Sequence, residues 1–183
     1  MFSLKIWVKI LILQVRIPYT SAMAITFTFD SPVGLLAIKA EKGCLTGIEL
    51  FPSKKNIPVK SSSHTPLAKK VKQQLHQYFL NSHSLFKLMY QLEGTTFQKK
   101  VWKIMLTIPE GQVMTYGEIA KKLNSSARAV GNACRANPLP IIVPCHRVVS
   151  QTGLGGFAGK TSGKRLEVKR WLLSHEGALV KGL

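Results

Sequence analysis

The stretch Ile141-Ile142-Val143-Pro144-Cys145-His146-Arg147-Val148-Val149 sets a thiol beside an imidazole at the end of an apolar run. A thiolate is a strong nucleophile and a soft metal ligand, and an imidazole can take its proton or share a metal with it. Three readings are open: a reactive thiol with its own base, half of a metal site, or the inert end of a buried strand. Pro144 fixes its own φ and has no amide to donate, so regular pairing ends just before Cys145. The expected setting is a turn that follows a buried strand. Adjacent side chains face apart in regular structure, so His146 would reach the thiol only through a bridging water or a kinked backbone. A histidine base also needs a group to orient its second nitrogen. Glu167 and Glu176 are the acids that follow, and Glu176, expected at a helix end, is the better candidate.

The metal reading has little support. Cys44, Cys134 and Cys145 are the three cysteines, and no pair has C-x-x-C spacing. His64, His76 and His83 have no cysteine or acid spaced with them and are expected at the surface. An odd cysteine count without a disulfide framework fits a reducing compartment, and the cytoplasm is the expected location. The glycines of Ser150-Gln151-Thr152-Gly153-Leu154-Gly155-Gly156 follow no strand in the right frame, which argues against a phosphate loop and nucleotide hydrolysis.

Charge points to a partner. The 183 residues hold 26 Lys and Arg against 8 Asp and Glu, a net charge of +18. An excess of this size favours an anionic partner, nucleic acid first. Residues 1–22 are apolar but carry Lys5, Lys9 and Arg16, which break them too often for a membrane span and argue against a signal peptide. They read as an inessential extension, or as preceding a true start at Met23. Without them 23 basic residues still face 8 acidic ones.

The elements that must hold the chemistry follow from pattern. Residues 24–51 alternate apolar and polar side chains between turn signals, an antiparallel meander. Residues 51–66 read as a loop. Leu67, Val71, Leu75 and Phe79 mark an amphipathic helix. A second unit begins near Gly94. Phe97, Val101, Ile104 and Met105 mark a Thr-capped helix that ends before Pro109. Thr115-Tyr116-Gly117-Glu118 is a capping box that opens another helix. Ser125-Ser126 stops it, and Ser126 or its neighbour caps the next, Ala127-Arg128-Ala129-Val130-Gly131-Asn132-Ala133-Cys134-Arg135. Two short helices joined by a tight polar turn match a helix-turn-helix. The second carries Arg128, Arg135 and small residues (Ala127, Ala129, Gly131, Ala133, Ala136), which allow close approach either to DNA or to a packed neighbour. A last helix places Leu166, Arg170 and Leu173 on one side, with Gly177 as its C-cap. The expected fold class is α+β. Residues 1–22 are an extension, 23–92 a small N-terminal antiparallel-sheet domain, and 93–183 a mostly helical domain with a winged or helix-turn-helix DNA-binding unit.

Pro144-Cys145-His146-Arg147-Val148 resembles the active-site signature of the O6-alkylguanine-DNA alkyltransferases, the methylated-DNA–protein-cysteine methyltransferases. GQVMTYGEIA, ARAVGNACRANPLPIIVPCHRVV, GGFAG and KRWLLSHEG stand in that family's order and spacing, so the resemblance runs closely from Phe97 to Gly177. It implies a helix-turn-helix in the minor groove and a damaged guanine flipped into a pocket, at a cost of a few kcal/mol that the pocket must offset. Arg128 matches the arginine that fills the vacated place in the stack. Arg135 would approach the groove. Tyr116 matches the tyrosine that donates a proton to the flipped base. Asn137 matches the asparagine that ties the helix-turn-helix to the active-site turn. Pro140 would line the pocket, and the carbonyls of Cys145 and Val148 would accept from the guanine amino group. His146 would act as base through a water, oriented by Glu176, and Cys145 would keep the alkyl group as a stable thioether. Each molecule would then act once, as an irreversible methyltransferase in DNA repair, with no cofactor and no metal. The partner implied is double-stranded DNA with alkylated guanine, with alkylated thymine as a further substrate; the protein is expected to be monomeric and to involve no membrane.

Two departures matter. Where relatives often carry a Ser or Tyr hydroxyl toward the guanine oxygen, this chain has Phe157-Ala158-Gly159, leaving the amides of Ala158 and Gly159 as donors. Zinc-bearing relatives have no counterpart here, since Cys44 stands alone in its region, while the presence of Cys145 argues against the inactive branch that lacks it. Two other classes compete: a DNA-binding regulator with a redox-sensing cysteine, and a cysteine hydrolase using Cys145 and His146. The second is weakened by the adjacency of the two residues and the lack of an evident oxyanion pair.

Overall fold

Period-two side chains and two tight turns build the first sheet. Strands β1 (Ile25–Ser31), β2 (Gly34–Glu41) and β3 (Cys44–Leu50) pair antiparallel in the order β1-β2-β3. Gly34 and Gly43 turn the corners at φ +103° and +79°, a region glycine enters without a Cβ clash. The computed structural model describes residues 25–57, 64–83 and 85–180; the expectations for residues 1–22 lie outside the described residues. Helix α1 (Pro66–Leu80) packs on β1, capped by the Thr65 side chain accepting from the Ala68 amide. Its buried stripe is Ala68, Val71, Leu75 and Tyr78. Leu67 and Phe79 of the expected stripe are only half-buried, because steps of four residues drift off a 3.6-residue period.

In the second unit, α2 (Thr96–Met105) starts from a Thr95–Gln98 capping box and buries Val101, Trp102 and Met105. Trp102 Nε1 donates to the Ala133 carbonyl at 2.8 Å, which seats the next helix pair. That pair is α3 (Tyr116–Lys122) and α4 (Ala127–Arg135), capped by Thr115 with Glu118 and by Ser126. The two strands β4 (Met114–Thr115) and β5 (Val148–Val149) run parallel, Met114 facing Val148 and Thr115 facing Val149. Helix α5 (Lys164–His175) closes the described chain. Most buried side chains of both units form one contiguous cluster, from Phe27 to Leu172, and Val149, Leu154, Leu173 and Ala178 form a smaller second one. The β3 backbone joins the two units, Ile48 N donating to Pro138 O at 2.8 Å.

Three expectations are corrected. The apolar run before Pro144 is no strand. Ile141, Ile142 and Val143 are buried turns, Cys145–Arg147 is a short 3-10 helix, and strand β5 follows the cysteine rather than preceding it. On α5 the buried residues are Val168, Lys169, Leu172 and Leu173, while Arg170 is exposed. The C-cap of α5 is Glu176; Gly177, at φ +69°, is the residue after it.

Candidate active site

The turn around Cys145 is tied at both ends. Asn137, just beyond α4, accepts from the Leu139 amide at 3.0 Å and donates Nδ2 to the Val143 carbonyl at 2.8 Å. Val143 N in turn reaches Leu139 O at 2.8 Å, and Cys145 N reaches Val143 O at 2.8 Å. These bonds hold Ile141 at φ +76°, a strained conformation for a β-branched residue. After the turn, the pairing of β5 with β4 sets the position of Tyr116, the residue that follows Thr115.

Tyr116, Gly131, Cys134, Arg135, Cys145, Gly156, Ala158 and Gly159 line one cavity of about 310 Å³. A second, of about 180 Å³, is lined by Asn137 and Pro140 and shares Cys134, Arg135, Cys145 and Ala158 with the first. Arg135 therefore borders both, and it lies across Gly159: a Cβ there would sit 2.8 Å from Arg135 Nε. The loop tip Ala158-Gly159 has φ +46° and +80°, and its amides donate to no partner among the described residues. Burial pushes the Cys145 thiol above its ordinary value, while the Asn137 side chain and the Lys169 charge pull it back. A thiol held protonated needs a base before it can attack.

His146 supplies one. Its Nε2 lies 2.8 Å from Glu176 Oε1, with both side chains wholly buried. Arg147 grips the same carboxylate twice, Nε to Oε2 at 2.8 Å and Nη2 to Oε1 at 2.9 Å. Burial pushes the Glu176 carboxyl up, but the hydrogen bonds from His146 and Arg147 outweigh it and hold it below the usual carboxylate range. An ionised carboxylate only accepts, so His146 Nε2 carries the proton. Burial lowers His146 below its ordinary value despite Glu176, which keeps the ring neutral near pH 7. Its Nδ1, buried and unpartnered among the described residues, is then a free lone pair able to accept a proton.

Lys169 was not expected here. It is wholly buried and donates Nζ to Val148 O at 2.6 Å and to Gly156 O at 3.0 Å. No carboxylate pairs with it among the described residues. Burial lowers it to about 8, and the two thiols Cys145 and Cys134 act against that. The Val148 carbonyl, expected to face guanine, already accepts from this ammonium, with a second lone pair remaining. Tyr116 Oη donates to the same Gly156 carbonyl at 3.1 Å, and burial raises that phenol, so it keeps its proton. One signal for Lys169 was in the sequence: it stands three and four residues before Leu172 and Leu173, on the buried side of a 3.6-residue period. Cys134, whose Sγ is 3.5 Å from Met105 Sδ, is a second thiol in both cavities, pushed up to about 12 by burial.

Arg128 stands apart, exposed on α4 and lining neither cavity. The small residues of α4 split by face. Ala133 packs inward with Val130 and Cys134, while Ala127 and Gly131 border the first cavity. The packed-neighbour reading of that small-residue pattern thus holds for the inward face. No group of three or more His, Cys, Asp or Glu suited to a metal occurs among the described residues, and none of their helices is long and apolar enough to cross a membrane.

Residues 96–178 match the family model described as 6-O-methylguanine DNA methyltransferase, DNA binding domain. The methylated-DNA–protein-cysteine methyltransferase of Methanosarcina acetivorans is 39% identical over 155 residues, 82% of this chain and 96% of that protein. The constitutive enzyme of the same description from Bacillus subtilis is 36% identical over 157 residues, 81% and 93% of the two chains. Among solved structures, the Mycobacterium tuberculosis O6-methylguanine methyltransferase superposes with a TM-score of 0.70 at 35% identity, covering 85% of this chain and 93% of its own. The Mycobacterium tuberculosis OGT in complex with DNA gives 0.66 at 36% identity, covering 83% and 92%.

Proposed function

The chain belongs to the methylated-DNA–protein-cysteine methyltransferase family, and from that membership we propose that it repairs alkylated duplex DNA by moving the alkyl group of O6-alkylguanine onto its own Cys145. The observation that carries the assignment to Cys145 is the buried Glu176–His146 pair, which leaves one imidazole lone pair free next to the cysteine in sequence. His146 takes the thiol proton through a water. Cys145 Sγ then attacks the alkyl carbon in line, the bond from that carbon to the guanine oxygen breaks, and its electron pair goes to the base. Tyr116, whose phenol is held protonated, donates to the guanine ring so that neutral guanine leaves. The resulting thioether has no leaving group that water can displace at neutral pH, so each molecule acts once. The chain's own residues supply the nucleophile, the base and the acid in this scheme.

The α3–α4 pair contacts the duplex, with Arg128 filling the gap left by the flipped base and Arg135 near the pocket mouth. The net charge of +18 supports a salt-dependent backbone component. Asn137 holds the turn, Pro140 borders the alkyl group, and the free amides of Ala158 and Gly159 face the guanine oxygen in place of a side-chain hydroxyl. The carbonyl of Val148 accepts from the guanine amino group alongside Lys169. The protein acts as a monomer, and its place is the cytoplasm, a location supported by three free cysteines, Cys44, Cys134 and Cys145.

Incubation with duplex DNA carrying one O6-methylguanine tests the assignment by peptide mass. The expected result is one methyl group on the peptide containing Cys145, saturating at one equivalent. Multiple turnover, or methylation of another residue, overturns it.

A further inference from the structure

Glu176 is held from a third side, by the N-terminal half of the chain. Tyr78 Oη, in the last turn of α1, donates to Glu176 Oε1 at 2.7 Å across a sequence separation of 98 residues. That oxygen therefore accepts from Tyr78, from His146 Nε2 and from Arg147 Nη2. The tyrosine ring has packing partners of its own in Phe79, Phe86 and His175, at centroid distances of 5.3, 5.4 and 5.4 Å. A phenylalanine would satisfy all three; only the hydroxyl reaches the carboxylate. The backbone here is pinned as well, since His175 Nε2 donates to the Tyr78 carbonyl at 2.7 Å. Burial and the Glu176 charge both raise the Tyr78 phenol, so it stays a donor across the working pH range.

We propose that Tyr78 is a positioning residue of the alkyl-transfer reaction, its hydroxyl setting how much of the Glu176 charge remains for His146 and hence how readily the imidazole takes a proton. This rests on the reading of His146 as the base. Three donors on one oxygen share a fixed negative charge, and each weakens the others' hold. Removing the hydroxyl leaves more charge facing His146, stabilises its imidazolium and raises its pKa. The other charged groups around this cluster are Arg147 on the carboxylate, Lys169, which disfavours a charged His146, and Glu110, which acts on Tyr78 from the loop after α2. His175 is occupied with the Tyr78 backbone and does not bond to the carboxylate. The N-terminal unit, which holds neither Cys145 nor the helix-turn-helix, thereby reaches into the proton chemistry.

The test is the pH profile of single-turnover methyl transfer from a duplex with one O6-methylguanine, for the full chain and for Tyr78→Phe. A neutral base gives an acid limb, and Tyr78→Phe should move that limb to higher pH by roughly half a unit, slowing transfer about threefold on its slope. Site-specific 3-fluorotyrosine at position 78, a stronger donor of nearly the same size, should move it the other way. Phe79→Leu controls for packing: it loosens the contact with Trp171 (centroids 5.7 Å apart) and lowers Tm but leaves the limb in place. A Tyr78→Phe limb that overlies the parent's, or an equal shift in Phe79→Leu, overturns the inference. Absence of methyl transfer by the parent removes the underlying reading, whereas transfer with an unmoved limb removes only this one.

Discussion

Lys169 Nζ lies 2.6 Å from the carbonyl oxygen of Val148, so the strand leaving Cys145 is fastened to α5 by a cation with no carboxylate paired to it among the described residues. Buried charges without a partner are costly, and proteins keep them where the charge is used. The second bond from Nζ, to Gly156, draws in the loop that carries Ala158 and Gly159. One ammonium thus joins the strand after Cys145 to a loop that borders the cavity, and its charge pulls the Cys145 thiol down against the larger effect of burial.

Lys169→Met keeps most of the side-chain volume but leaves the Val148 and Gly156 carbonyls without this donor. The expected cost is about 1–3 kcal/mol of stability, from buried acceptors left unpaired. Methyl transfer should slow roughly tenfold or more, and reaction of Cys145 with iodoacetamide should shift to higher pH. Unchanged iodoacetamide kinetics would assign Lys169 to packing alone.

Acid should destabilise the fold in two stages. His146 and Glu176 both have folded-state pKa values below their unfolded ones. At low pH the unfolded chain binds protons that the folded chain refuses, so stability falls as pH falls. For His146 the loss begins below its ordinary value of 6.5. For Glu176 it begins below 4.5. Urea midpoints measured from pH 8 to pH 4 should decline below about pH 6.5 and steepen near 4.5. Glu176→Gln should lose the steeper stage, and a flat profile across the range would refute the paired state of this carboxylate.

Arg128 is exposed and borders neither cavity, so its removal should spare the chemistry while weakening DNA engagement. Arg128→Ala should slow repair of methylated duplex roughly tenfold or more, the scale expected when support for a flipped base is lost. Reaction with free O6-benzylguanine, which needs no flipping, should change less than about twofold. Equal losses with both substrates would place Arg128 in the pocket's support instead.

Local signals in the sequence translated well. Thr115 with Glu118, and Ser126, cap the two helices they were expected to cap, because a capping box is decided by four consecutive residues. The three-strand meander follows from alternation and turn glycines in the same way. The turn before Cys145 is not legible in the sequence, since a short apolar run such as Ile141-Ile142-Val143 has no periodicity to separate a strand from buried turns. What decides it is the Asn137 side chain, which takes the Val143 carbonyl that a strand would have paired. Lys169 is hard to read from sequence because nothing local shows that the two carbonyls of Val148 and Gly156 will be brought to it. Tyr78 was hidden for a different reason. Its partner is 98 residues away, and no local pattern links a helix-end tyrosine to a distant glutamate.

That distance also bears on how the protein is made. Glu176 meets Tyr78 only after the chain has closed a loop of 98 residues, and Ile48 must find Pro138 across a comparable span. Contacts of such range form slowly, since loop entropy is lost before they return anything. Helices α1 to α5 and the meander can form from neighbouring residues, whereas the carboxylate cluster waits for the two halves to dock. On refolding, helical signal should therefore recover before the capacity to accept an alkyl group, so each molecule's single use is withheld until its tertiary structure is complete.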